Sequence, residues 1–222
     1  MLLTALFGVL VMQAAPDPVL AEAAPAPLER AAEPALFAGL SDEAVLARAA
    51  GAIEAIGTLR AGFTQVAPSG EVTTGTVSLD RPGRLRFDYD APSRQQIVAT
   101  GGLVYVHDAD LETTDSYPLG QTPLRFLLTD RIDAEGVVLD GVTRAPGEVA
   151  ITLQAADDQL SGQVALAFAG TEDALTLTRW AVADPQGGVT VVELDGVETG
   201  VKLSRRLFRI PEAERRFGSD RR

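Results

Sequence analysis

No cysteine occurs anywhere in the chain, which excludes disulfides, thiol nucleophiles, cysteine metal sites and lipid attachment through an N-terminal cysteine. Asparagine is also absent, so N-glycosylation is excluded and tight turns must be made with Asp-Gly, Pro-Gly and Gly-Gly. Lys202 is the only lysine. The other cations are arginines, and a formal net charge of -12 leaves no broad basic surface for nucleic acid or for an anionic membrane. With one histidine, His107, no histidine cluster for zinc can be assembled, and Ser-His-Asp chemistry would depend on that single ring. The acids beside it, in Asp108-Ala109-Asp110, are ordinary turn residues. Missing too are a Gly-rich phosphate loop, a G-x-S-x-G elbow and any metal-spaced motif. No catalytic, cofactor-binding or metal-ligating residue is assigned, no cofactor is expected, and the chain reads as a non-enzyme.

Long apolar runs are scarce as well. Leu2 to Met12 is too short to span a bilayer and fits the apolar region of a secretory signal, with Val19-Leu20-Ala21 as a cleavage sequence, although no Lys or Arg precedes Arg30. The expected organisation is a signal peptide over 1–21, a flexible Ala/Pro linker over 22–38, one domain over 39–212 and a basic tail over 213–222. A hydrophobic content of 46% is enough for one sizeable core.

What the chain has in abundance is alternation. In Leu79-Asp80-Arg81-Pro82-Gly83-Arg84-Leu85-Arg86-Phe87-Asp88-Tyr89 the apolar residues recur at every second position on either side of Pro82-Gly83, as in two half-buried antiparallel strands. Arg81 is in phase with Val77 and Leu79, so its guanidinium is expected at the rim of the apolar face, where it needs hydrogen-bond acceptors. Similar strands are predicted near 60–67, 71–81, 84–90, 94–100, 102–107, 111–117, 136–144, 148–155, 162–169, 174–183, 188–198 and 203–210, with a turn at Asp195-Gly196. A sheet of about eleven or twelve strands must curl.

Two helical segments stand apart from this pattern. Ser41 caps a helix opened by Asp42-Glu43, whose stripe is Val45, Leu46, Ala49, Ile53 and Ile56, closed by Gly57. A shorter turn starts at Thr122, as cap, and Pro123, followed by Leu124, Phe126, Leu127 and Leu128. Both can cover the concave side of the sheet. From periodicity, the inner face so covered reads as a packed core.

Several short matches occur together and in order. Phe63-Thr64-Gln65 follows a helix, Arg81-Pro82 precedes Leu85-x-Phe87-x-Tyr89-x-x-Pro92, Gly101 to Tyr105 leads to Asp108-x-Asp110-Leu111, and Thr122-Pro123 precedes Leu127-Leu128. In these features the chain resembles the LolA family of periplasmic outer-membrane lipoprotein carriers. The resemblance implies an incomplete antiparallel β-barrel with a helical lid, and a cavity for acyl chains lined by Phe63, Val77, Leu79, Leu85, Phe87 and Tyr89. It implies a lid formed by Val45, Leu46, Ile53, Ile56, Leu124, Leu127 and Leu128, and a latch, Arg81, that hydrogen-bonds to the lid when the cavity is shut. The implied function is a periplasmic chaperone for acylated lipoproteins between the inner and outer membranes, a monomer. Its implied partners are an ABC-type lipoprotein-releasing complex of the inner membrane and an outer-membrane acceptor. A periplasmic lipid- or lipoprotein-sensing module on the same fold is the alternative.

Overall fold

The computed structural model describes residues 33–132, 136–155, 163–184 and 186–209. The expected signal peptide, most of the linker and the basic tail lie outside them. The first helix, α1 (Asp42–Ala55), starts where Ser41 Oγ accepts from the Ala44 amide at 3.3 Å and ends at Ile56, whose extended backbone leads through Gly57 into the first strand. Its buried stripe is Val45, Ala49, Ala50 and Ile53.

A run of six strands follows: β1 (Thr58–Val66), β2 (Val72–Asp80), β3 (Arg84–Tyr89), β4 (Gln95–Thr100), β5 (Leu103–Asp108) and β6 (Thr113–Pro118). After a 3-10 turn at Leu119–Gln121 and one helical turn, α2 (Arg125–Leu128), five more strands complete the sheet. These are β7 (Val137–Ala145), β8 (Glu148–Ala155), β9 (Gln163–Thr171), β10 (Ala174–Ala183) and β11 (Val189–Thr199). The eleven strands form one antiparallel sheet in the order β6-β5-β4-β3-β2-β1-β11-β10-β9-β8-β7. Two meanders are thus joined where the first strand pairs with the last, and β6 and β7 are the edges of the sheet among the described residues. The architecture is an unclosed barrel.

The sheet is strongly curled. In a flat sheet β3 and β10, four steps apart, would lie about 19 Å from each other. The Phe87 and Trp180 rings that they carry are 6.0 Å apart between centroids. Curling places the inward residues of both meanders in one apolar cluster, which α1 and α2 enter from the concave side.

Four expectations need correction. No strand forms over 203–210 within the described residues; Arg205–Phe208 is a 3-10 turn capped by Ser204. Leu203, Leu207 and Phe208 are spaced for a helical face and not for period two, and Phe208 is buried with Val98 on the outer face of the sheet. Asp195-Gly196 is not a turn, because β11 continues through it with a bulge opposite Arg60–Gly62, Gly196 taking φ 57°. Thr122 does not cap α2. Its hydroxyl donates back to Leu119 O at 2.9 Å, and α2 is entered through backbone bonds to Thr122 O and Pro123 O. Finally, the packed domain begins before residue 39: Leu36 and Phe37 are buried, and the Leu36 amide donates to Ala145 O at 2.9 Å. Two large apolar side chains in an Ala/Pro stretch are sufficient to seat it.

Candidate functional site

The concave face is built from alternate positions of the strands. Leu59, Ala61 and Phe63 of β1 pair with Leu79, Val77 and Gly75 of β2, and these with Leu85, Phe87 and Tyr89 of β3. Phe63 meets Phe87 and Tyr89 edge-on, with centroids 5.0 and 5.1 Å away. The contact needs Gly75, since a Cβ there would lie 2.1 Å from Asp88 O and 2.7 Å from the Phe63 ring. Of the residues assigned to a cavity, Phe63, Val77, Leu79, Leu85 and Phe87 are buried on this face and Tyr89 is half-buried at its end. Tyr89 donates to Gln65 Oε1 at 2.9 Å, and burial pushes its phenol above the ordinary tyrosine range. The opposite wall is supplied by Val149, Ile151, Leu153, Val164, Leu166, Phe168, Trp180 and Val192, to which no role was assigned although they alternate in the sequence.

α1 and α2 cover this face. Val45, Ile53 and Ile56 are buried, as are Phe126, Leu127 and Leu128; Leu46 and Leu124 are half-buried at the periphery. Between α2 and the start of β7 lies a cleft of about 670 Å³, bordered by Pro82, Phe126, Leu128, Thr129, Ile132 and Val137. Arg125 closes its upper side, donating to Gly120 O at 3.1 Å and Gly136 O at 3.2 Å.

Arg81 lies just after β2, with its amide bound to Gly57 O, and its side chain leaves the rim of the concave face toward the helices. Nη1 donates to Ile53 O of α1, whereas Nη2 donates to Thr129 O and, at 3.4 Å, to Asp130 O just beyond α2. One guanidinium therefore binds both covering helices. Nε is buried without a hydrogen-bond partner among the described residues. Burial lowers the guanidinium pKa from its ordinary value, partly offset by Glu54 and Asp130.

Arg144 of β7 was not singled out in the sequence. It reaches the other end of α1, donating to Phe37 O at 3.3 Å, Leu40 O at 3.1 Å and Asp42 Oδ1 at 2.7 Å. The pairing with β8 puts it opposite Val149 on the inward side of an edge strand, where an arginine must find acceptors, but the bulge between Leu139 and Gly141 hides that phase in the sequence.

The family model described as "Outer membrane lipoprotein carrier protein LolA" matches residues 54–211. An outer-membrane lipoprotein carrier protein of Methylococcus capsulatus is 30% identical over 181 residues, 78% of this chain and 86% of the relative. One from Albidiferax ferrireducens is 30% identical over 191 residues, 76% of this chain and 87% of the relative. A solved LolA superfamily protein from Nitrosomonas europaea, 12% identical, superposes with a TM-score of 0.48 over 78% of this chain and 99% of that one. No described helix is long and apolar enough to cross a membrane.

Proposed function

Since the chain belongs to the LolA family of outer-membrane lipoprotein carriers, we propose that it is a periplasmic carrier that holds the acyl chains of lipoproteins against its concave face and moves them from the inner to the outer membrane. The observation that supports this best is the Arg81 guanidinium, bound at once to Ile53 O and Thr129 O above an apolar face filled by the helices themselves. A half-buried cation bonded to main-chain carbonyls is a fastening that can be undone, whereas an ordinary core would be closed with apolar side chains.

The energetics suit a shuttle. Each methylene exposed to water costs roughly 0.8 kcal/mol, so an acyl chain needs a lined site for the crossing. Val45, Ile53, Ile56, Leu124, Leu127 and Leu128 fill that site when it is empty, and cargo must displace them before making its own contacts, which lowers net affinity and keeps loading reversible. Arg81 is the latch of the shut state in this reading, and Phe63, Val77, Leu79, Leu85, Phe87 and Tyr89 line the opened site. The partners are an ABC-type releasing complex at the inner membrane and an acceptor at the outer membrane.

The test is displacement of an apolar fluorescent probe. The full chain without its first 21 residues should bind the probe and lose it to an N-acylated lipoprotein peptide but not to the same peptide unacylated. Equal displacement by both peptides would replace the acyl site with a peptide-binding surface.

A further inference from the structure

We propose that Arg144 is a second clasp of α1, holding the end that must travel furthest when the concave face opens. The inference rests on the carrier reading, in which α1 leaves the sheet to admit cargo. α1 runs directly into β1 through Ile56 and Gly57, so its C-terminal end is tethered by a two-residue link, and a Cβ at Gly57 would meet nothing within 4 Å. A helix tethered so closely can swing only about that link. Its 14 residues make a lever of about 21 Å, and the far end is where Arg144 acts.

The attachment at the far end is built from charge and main chain. The Arg144 side chain is 20% exposed and divides its donors among Phe37 O, Leu40 O and the Asp42 carboxylate at 2.7 Å. The same strand accepts the Leu36 amide at Ala145 O, and Phe37, 1% exposed, is buried under the segment with φ 59°. The two arginines therefore divide the work. Arg81 ties the last turn of α1 to α2 close to the pivot. Arg144 ties the first turn to an edge strand of the opposite meander. On this reading, loss of Arg81 frees α2 and the pivot end and opens that side of the face to cargo, while the far end of α1 stays down until Arg144 lets go.

The absence of cysteine allows single pairs to be spin-labelled without background. Labels at Glu43→Cys and Glu198→Cys report the far end of α1, and labels at Ala55→Cys and Glu198→Cys the tethered end, each read by pulsed dipolar spectroscopy on the cargo-free protein. Arg144→Gln should broaden the 43–198 distance toward longer values and leave 55–198 narrow. Arg81→Leu should leave 43–198 narrow, and the double variant should open it fully. Arg144→Lys, which can keep Asp42 but not the fork of contacts, should fall between wild type and Arg144→Gln. Asp42→Asn, which leaves the strand untouched, is the arm to read if Arg144→Gln fails to fold, and it should broaden 43–198 to a smaller degree. Uptake of an N-acylated peptide should accelerate on the order of tenfold in the double variant relative to either single one. A 43–198 distance that stays narrow in the Arg144 and Asp42 variants would overturn the clasp. So would equal broadening at both ends, which means that the helix melts and does not swing. A wild type that takes up no acylated peptide overturns the carrier reading instead and leaves the distance result standing.

Discussion

Arg81 and Arg144 hold α1 with the same chemistry, a guanidinium fork on main-chain oxygens, yet they are not equally visible in the sequence. Arg81 is announced by an Arg-Pro-Gly turn after an alternating strand, which puts a cation in phase with Val77 and Leu79. Arg144 sits in Gly141-Val142-Thr143-Arg144, where the bulge between Leu139 and Gly141 shifts the phase, and only the pairing with β8 shows which side it faces. Hydrogen bonds from a charged donor are worth roughly 1.5 to 3 kcal/mol each, so the net loss of even one of those to Ile53 O and Thr129 O moves the shut-to-open balance by about tenfold or more. Arg81→Leu is therefore expected to bind acylated peptide more tightly, about tenfold or more, and to transfer it to liposomes correspondingly more slowly. Leucine adds apolar surface at the same place and acts in the same direction. Transfer that is faster than, or equal to, that of the wild type would remove Arg81 as the latch.

At the scale of elements, α1 shows how far local signals carry. Ser41, Asp42 and Glu43 at its start and the stripe through Val45, Ala49 and Ile53 are encoded within the segment, and the helix forms where they indicate. α2 is different, because four residues cannot hold a helix by propensity, and it exists only as Phe126, Leu127 and Leu128 pack beneath it. The 3-10 turn at Arg205–Phe208 has the same origin: a spacing that fits no strand, docked through Phe208 and by Arg86, which donates to Leu207 O at 3.0 Å. If α1 is a lid, it should be separable from the sheet. Ile53→Asp places a charge at a fully buried contact, and α1 is expected to lose its hydrogen-exchange protection while β1–β5 keep theirs. Loss of protection in both at once, with cooperative unfolding at a much lower temperature, would make α1 part of an ordinary core.

At the scale of the whole fold, the described residues form two meanders that meet through β1 and β11, with α2 in the connection between the edge strands β6 and β7. With α2 between the two edge strands and α1 packed on β7, β8 and β10, the concave face is covered without a closed barrel. Expressed as this 222-residue chain in a diderm bacterium, the protein is expected in the periplasm with a new N-terminus near Glu22, and N-terminal sequencing that still finds Leu2 to Met12 would oppose it. By itself the sequence determined eleven of the twelve expected strands, the turns at Pro82-Gly83 and Gly101-Gly102 and the first helix, since period and capping are local properties. Only the tertiary structure decided that Phe87 reaches Trp180, that Leu36 and Phe37 belong to the core, that β11 bulges past Gly62, and that Arg81 and Arg144 grip opposite ends of one helix. Those contacts join residues far apart in the chain, and they follow from how tightly an eleven-stranded sheet curls, which no single segment encodes.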